Sequence, residues 1–369
     1  MKKLITVLLV VVMVLGLVAC AKTTPSTDTS APVETTAEVS TAPETSEAAP
    51  VTNELIKVGF AQVGHESDWR MASTNSAQEA LSEANGFDLS FVDCDNDSEA
   101  QIAAVRQFIQ DDVDYIVIAP IVSTGWDTVL TEAQNAQIPV IVLDRTIDDS
   151  DKYVTWIGSE FMNEGLAAGA WLKDYAALKG ITELNILVLE GTTGSSAQIG
   201  RTEGFKKYAD ENGWNILDSQ TGNFDQTGGQ TVMESYCKSY EGKFNVVVAQ
   251  NDNMAFGAMD AMDAAGVTYG VGKDVILISW DAVKAALQMV LDGKINADFC
   301  CYPLQGPTLA ETIQKIEAGE EIPAKTFMVE PWYVSEGDLT SITYTNSIGK
   351  EVTEDLILMT ADIVANQPY

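Results

Sequence analysis

Histidine is almost missing from this sequence: His65 is the one copy in 369 residues. Zinc sites draw on Cys and His at short spacings, and no such cluster exists here. His65 has no evident serine or cysteine partner, and the Gly-x-Ser-x-Gly turn of serine hydrolases is absent. Cysteine is scarce as well. Five occur, at 20, 94, 237, 300 and 301, with no Cys-x-x-Cys pair. Cys300 and Cys301 sit in an apolar run and read as small buried residues, so no metal site is expected. Basic residues are few: 21 Lys and Arg stand against 54 Asp and Glu, a formal charge of −33. Nucleic acid and anionic lipid surfaces are held by basic patches, so both are excluded as charge-driven partners. A neutral or cationic ligand fits better. Long apolar runs are also missing, apart from Leu4 to Val18, which Thr6 and Gly16 interrupt. That run falls short of the about 20 residues a membrane helix needs.

The same run has another use. Lys2 and Lys3 precede it, and Leu17-Val18-Ala19-Cys20 ends it. The arrangement is that of a secretory signal. Its end resembles the bacterial lipobox, in which the cysteine is diacylated and becomes the new N-terminus. Residues 1–20 are therefore expected as a lipoprotein signal peptide, with Cys20 as the lipidation site. Two acyl chains anchor stably where one does not, at roughly 0.8 kcal/mol per buried CH₂. From Ala21 to Asn53, Thr, Ser, Ala, Pro, Glu and Val dominate and aromatics are absent. Such a segment cannot bury enough apolar surface to offset the entropy of ordering it. It is expected as a disordered tether on the extracellular face of the cell membrane, an arrangement that suits a Gram-positive envelope.

Residues 54–369 suit two domains. The pattern predicts strands over 55–61, 89–93, 115–119 and 139–143, with helices over 67–84, 98–110 and 124–136 between them. It then resets, with strands over 185–190, 215–219, 246–249 and 275–279. Helices over 196–212, 226–240, 253–265 and 282–291 accompany them. Near-continuous apolar strands alternating with helices mean an α/β fold whose parallel sheets are covered on both faces.

Ligands of open parallel sheets bind outside the carboxyl ends of the strands. In the first array those ends carry Gln62, Glu66, Ser67, Trp69 and Arg70, then Ser123 and Trp126, then Asp144 and Arg145. In the second they carry Glu190, with Arg201 on the following helix, then Asn223, Phe224 and Asp225. Asn251, Asp252 and Asn253 follow another strand, and Trp280 and Asp281 the last. Charged and amide groups make directional hydrogen bonds to hydroxyls, and charge strengthens them. Aromatic faces pack on the C–H face of a sugar ring. The mixture suits a neutral polyol. Three arginines alone would suit an anion, but Asp144 and Asp281 beside them roughly cancel the charge.

Blander readings compete. Asp144 and Arg145 would form a strand-end ion pair, Trp126 and Trp280 would be core aromatics, and the Asn251 segment would cap a helix. The acidic stretch 93–97 superficially resembles a calcium loop, but its sixth and twelfth places are Ser98 and Ala104 instead of Gly and Glu. Gly191-Thr192-Thr193-Gly194 lacks the Gly-Lys-Ser/Thr ending of a phosphate loop. No catalytic residues and no cofactor are expected.

Val58-Gly59-Phe60, Ile118-Ala119-Pro120, Leu143-Asp144-Arg145 and Gly200-Arg201-Thr202-Glu203-Gly204-Phe205 resemble the periplasmic binding proteins of ribose-type sugar ABC importers. So do Ala249-Gln250-Asn251-Asp252-Asn253-Met254 and Trp280-Asp281. The stretches from Gln62 to Arg70 and from Ala119 to Trp126 are similar to the galactofuranose-binding subgroup. The resemblance implies two Rossmann-like lobes with parallel sheets, joined by three crossovers near Ser159, Cys301-Tyr302 and Met328-Val329. Lobe one would be 54–159 plus 302–328, and lobe two 160–301 plus 329–369.

The resemblance also implies roles. Asp144 and Arg145 would hold sugar hydroxyls from lobe one, and Arg201, Asn251 and Asp281 from lobe two. Phe224 would stack on the ring, Trp69 stands where ribose binders place a stacking aromatic, and Arg70 is the subgroup's addition. Ser67 and Trp126 complete the expected ligand set. Cys301 replaces a glutamine of the ribose binders, and their first-loop asparagine is missing. Both departures point away from ribose to galactofuranose or a related aldose. The implied partners are a monosaccharide and a membrane ABC permease, with the binding protein a monomer. A sugar or autoinducer sensor docking a chemoreceptor or sensor kinase would share the fold. Beyond 331, a strand over 332–334 and a closing helix over 355–366 are predicted.

Overall fold

The computed structural model describes residues 54–369. The expected signal, Cys20 and the 21–53 tether lie outside the described residues. No described helix is long and apolar enough to cross a membrane.

The first lobe is built on a parallel sheet. Strands β1 (Ile56–Gln62), β2 (Phe87–Asp93), β3 (Tyr115–Ile118), β4 (Val140–Asp144) and β5 (Thr155–Gly158) are joined by α1 (Asp68–Ala80), α2 (Ser98–Gln110) and α3 (Asp127–Asn135). A late strand, β11 (Lys325–Phe327), completes the order β11-β5-β4-β3-β1-β2. Every residue of β3 and β4 is buried, because helices cover both faces and leave no wet side to alternate against. Helix α2 starts where the Asp97 carboxylate accepts the amides of Glu99 and Ala100.

The second lobe runs through α4 (Phe161–Lys179), β6 (Asn185–Glu190), α5 (Ser196–Asn212), β7 (Asn215–Thr221), α6 (Gln226–Ser239) and β8 (Val246–Ala249). It continues with α7 (Asp252–Ala265), β9 (Ile276–Trp280), α8 (Lys284–Leu291) and β10 (Ala297–Phe299). Strands β12 (Trp332–Val334), β13 (Ser341–Thr345) and β14 (Glu351–Leu358) extend its sheet, in the order β13-β14-β12-β10-β9-β8-β6-β7. The chain passes between the lobes three times: after β5, after β10 and after β11. Between the second and third passages, α9 (Gly306–Glu317) packs Leu309 and Ile313 into the core of the first lobe.

The C-terminus departs from expectation. The helix predicted over 355–366 forms only in its second half, as α10 (Ala361–Asn366), because its first residues belong to β14, which runs to Leu358. Partners on both sides decide this. β14 pairs antiparallel with β13 and parallel with β12, so its backbone groups are satisfied in a sheet. Thr360 then caps the short helix through the Ile363 amide.

Candidate ligand-binding cleft

The strand ends of both sheets meet at one cavity. Glu66, Trp69, Arg70, Asp144 and Arg145 line it from the first lobe. Phe161, Ala197, Arg201, Phe224, Asn251 and Asp281 line it from the second, with Cys301 at the second crossover. The backbone is bent to achieve this. Asp144 has φ +63°, Phe224 +62° and Asp281 +109°. Left-handed non-glycine residues cost about 1–3 kcal/mol each and gather where function needs a particular aim. Here the turn at each strand end points a carboxylate or a ring into the cleft.

Three buried arginines organise the polar lining. Arg70 donates from Nη2 to Asp144 Oδ2 at 2.8 Å, from Nε to Glu66 Oε1 at 3.1 Å and from Nη1 to Gln62 Oε1 at 3.2 Å. Arg145 donates from Nη1 to the Ile121 carbonyl at 3.0 Å, and its Nη2 lies 3.6 Å from Glu66. Arg201 donates from Nε to Glu164 Oε2 at 2.6 Å and from Nη2 to Asp281 Oδ1 at 3.3 Å, and it also reaches the Gln250 carbonyl. Phe224 lies under two of them, 5.2 Å from Arg145 and 5.9 Å from Arg201. The ring is seated against Gly191, where a Cβ would fall 1.9 Å from Phe224 Cζ.

Burial and pairing set the charge states. Burial lowers the Arg70 guanidinium, but Glu66 and Asp144 more than offset it and hold it above its ordinary value. Burial, and then repulsion from Arg70, push Arg145 down to about 10. Burial raises Glu66, and the attraction of Arg70 and Arg145 overcomes it, so its carboxyl sits below the usual range. Burial lifts Asp281 well above its ordinary value against the pull of Arg201. The lining carries three guanidinium groups and three carboxyl groups, formally neutral in sum.

The cavity is small, about 20 Å³. By that measure it has room for about one water. Direct hydrogen bonds close the lobes around it. Trp69 Nε1 donates to the Cys301 carbonyl at 2.6 Å, and the Asp68 amide donates to Asn253 Oδ1 at 3.1 Å. On the other side, the Ser123 amide donates to the Gly194 carbonyl at 2.9 Å and the Thr146 amide to Ser196 Oγ at 2.8 Å.

Eight residues of the expected ligand set share this cavity: Trp69, Arg70, Asp144, Arg145, Arg201, Phe224, Asn251 and Asp281. Asn251 does two things, capping α7 through the Met254 amide while its Nδ2 donates to the Phe224 carbonyl. Ser67 and Trp126 lie elsewhere. Ser67 caps α1 through the Arg70 amide. Trp126 is 1% exposed in the first core, with its indole N–H on the Val122 carbonyl. Trp280 is likewise core, packed on Phe299.

Some participants escaped the sequence reading of the ligand set. Glu66 stood among the strand-end residues, and its i,i+4 spacing to Arg70 was the available signal. Glu164 is the one charged residue between Phe161 and Leu172, a position that demands a cation once buried. Phe161 and Ala197 carried no signal. One group among the described residues brings three metal-capable atoms within 4.8 Å of one another: Glu164, Cys301 and Glu330. Each is already engaged: Glu164 by Arg201, Cys301 by Ser159 Oγ at 3.4 Å, and Glu330 by Ser159 and the Tyr302 amide. The group ties the three crossovers together. All four described cysteines are free and buried.

Two α/β lobes, crossed three times by the chain and closed on a cavity at their strand ends, define a binding protein of the periplasmic type. The chain belongs to the family described as periplasmic binding protein domain, whose sequence model matches residues 58–321. It is 39% identical over 284 residues to the galactofuranose-binding protein YtfQ of Escherichia coli, covering 75% of this chain and 86% of that protein. A Mycobacterium smegmatis protein solved in complex with β-D-fucofuranose is 43% identical, with a TM-score of 0.72 over 76% of this chain and 91% of its own. The periplasmic binding component of a Shewanella arabinose ABC transporter, bound to α- and β-L-arabinofuranose, is 37% identical, with a TM-score of 0.70 over 76% and 92%.

Proposed function

We propose that this chain captures a neutral monosaccharide, galactofuranose or a related aldose, between its lobes and delivers it to the permease of an ABC importer. The balance of three guanidinium and three carboxyl groups around one aromatic-floored cavity carries this reading. A charged ligand would leave part of that set uncompensated in a desolvated space, which costs several kcal/mol. A sugar offers hydroxyls that donate to Asp144, Asp281 and Glu66 and accept from Arg70, Arg145 and Arg201. Phe224 and Trp69 offer faces for the ring. The furanose ligands of the relatives agree with this chemistry.

The ligand's polar edges belong to both lobes, with 54–159 and 302–328 on one side and 160–301 and 329–369 on the other. A cavity of about 20 Å³ admits no sugar ring while closed. The lobes therefore open for entry, and ligand contacts to both sides shift the population back to closed. Diacylated Cys20 and the 21–53 tether would hold the protein at the extracellular face of the membrane, raising its effective concentration at the permease. It acts as a monomer without catalysis or cofactor.

A thermal-shift screen against pentoses, hexoses, furanose-rich aldoses, amino acids and nucleosides tests this reading. A ligand at about 100 times its dissociation constant adds roughly 2.7 kcal/mol, enough to move the midpoint by degrees. A shift with sugars alone supports the proposal. A shift only with amino acids or nucleosides overturns the ligand class.

A further inference from the structure

Two aspartates lie directly behind the turn that carries Asp281, and neither contacts a basic side chain. Asp252, the first residue of α7, and Asp298, the middle residue of β10, are both fully buried. The Asp252 carboxyl accepts from the Ser279 hydroxyl at 2.5 Å and from the Val283 amide at 2.8 Å. The Asp298 carboxyl accepts from the Ala282 amide at 3.2 Å, and no N–H or hydroxyl among the described residues reaches its Oδ2, which leaves a carboxyl proton on Asp252 as its donor. The pair thus grips two successive amides of the turn after β9. The Asp281 amide is held next door, by the Phe299 carbonyl at 3.0 Å.

That turn is strained. Asp281 has φ +109° and Ala282 φ +57°, and neither is glycine. Such residues persist only where their surroundings over-determine them. Val283, at the cap position of α8, offers no side-chain cap. Asp252, from another helix, instead fixes the amide of Val283 itself.

We infer that Asp252 and Asp298 form a proton-sharing carboxyl pair that positions Asp281 for the ligand. The inference rests on the sugar-binding reading above. Its chemistry follows from the charges in view. Asp281 faces the pair from the cleft side, with Glu164 beyond it, and Cys300 and Tyr333 flank Asp298. Arg201 is the cation in reach, and Glu164 and Asp281 already share it. Two ionised carboxylates side by side without a cation are not sustained in a buried site, so one proton stays between them. Burial is the leading cause for both groups. It lifts Asp252 well above its ordinary value, and, opposed by the hydrogen bond from Asp252, it pushes Asp298 up to about 7. The retained proton lets one carboxyl donate to the other while both still accept turn amides.

The test combines variants with a pH profile on the purified protein. D252N replaces the shared proton by an amide hydrogen that cannot dissociate, and it should keep sugar affinity within about threefold at pH 7. D252A removes the Val283 anchor and should weaken binding by at least about 30-fold with circular dichroism unchanged. On the alkaline side, wild-type affinity should fall by about tenfold per pH unit once the shared proton leaves, whereas D252N follows a flatter profile. Wild-type affinity in D252A, or identical alkaline profiles for wild type and D252N, would overturn the inference. If D252A fails to fold, the profile of D252N against wild type decides. If no sugar binds at all, the functional reading fails on its own. The pair is then read in the ligand-free protein by carboxyl ¹³C shifts. An aspartic proton retained above pH 8 in wild type and lost in D252N supports the pair, and its absence refutes it.

Discussion

Arg145→Ala separates ligand binding from folding. Arg145 makes one hydrogen bond, to the Ile121 carbonyl at 3.0 Å, and a looser contact to Glu66 at 3.6 Å. Without it, Glu66 still has Arg70 at 3.1 Å, so no carboxylate is orphaned. The guanidinium itself is uncomfortable, with burial and Arg70 pushing it down to about 10. The lost hydrogen bond costs about 1 kcal/mol, and relief of that charge offsets part of it. The thermal midpoint should fall by no more than about 2–4 °C. In the proposed complex the same group is a charge-assisted donor in a desolvated cleft. Deleting one such partner costs about 2–5 kcal/mol, a loss of about 30-fold to about 4,000-fold in affinity. Arg201→Ala provides the contrast, because it leaves both Glu164 and Asp281 without a cation. Its stability should fall by about 3–5 kcal/mol. Titration calorimetry with the sugar found by the screen, alongside circular dichroism melts, reads both quantities. Affinity in Arg145→Ala within threefold of wild type would refute its role. A melting loss as large as that of Arg201→Ala would refute the separation.

Three further outcomes follow from the geometry. Gly191→Ala places a methyl 1.9 Å from the Phe224 ring, so the ring must move; overpacking of this kind costs about 1–3 kcal/mol, and sugar affinity should fall with it, as a melt and a titration would show. Trp69→Phe removes the bond from the indole N–H to the Cys301 carbonyl across the lobes; ligand affinity should drop by about 1 kcal/mol, measurable by calorimetry. Asp298 carries a folded-state pKa raised to about 7 from an ordinary 3.8, so the folded protein binds the extra proton. Its contribution to stability is therefore fully present below about 4 and lost as pH rises through about 7. Asp298→Asn cannot lose that proton, and its melting midpoint relative to wild type should climb between pH 4 and 7 and then level off.

How far the sequence reveals this architecture depends on what each segment packs against. The helices at 98–110 and 196–212 fall where predicted, because Asp97 and Ser195 cap them and each buries one face only. Strands 185–190 and 246–249 also match, being short β-branched runs between turns. Helix α4 leaves no periodic mark in the sequence. Its Ala- and Gly-rich stretch is buried on nearly every side, from Phe161 through Ala176, so no polar face marks a helical period. The tail misled for the opposite reason: Glu351–Leu358 is largely exposed, and its partners β12 and β13, not its own composition, make it a strand. At the cleft, position after a strand was a good guide to Asp144, Phe224 and Asp281, whose side chains the left-handed turns aim inward. It was a poor guide to Ser67 and Trp126, since a helix cap and a core indole occupy the same kind of position. Glu164 acts from behind Arg201, a relation that only the fold creates.

The closed cleft also bears on why a sugar would control it. The direct bonds seen between the lobes are one each at Trp69, Ser123 and Thr146 and two between Asp68 and Asn253, and each nets about 1 kcal/mol. Against them stands the desolvation of three arginines and three carboxyl groups, several kcal/mol per ion before pairing returns most of it. Pairs such as Arg70 with Asp144 form within one lobe and survive opening, so they add little to closure. No guanidinium–carboxylate pair of the lining spans the two lobes: Arg70 and Arg145 face Glu66 and Asp144, and Arg201 faces Glu164 and Asp281. The ion pairs of the cleft therefore stabilise each lobe separately and leave the choice between open and closed to a few hydrogen bonds and the packing of Arg145 on the Phe224 ring. A ligand whose hydroxyls bridge the two charged sets adds the links between them that the ion pairs do not make. That differential affinity, a few kcal/mol, is the size required to move a two-state hinge.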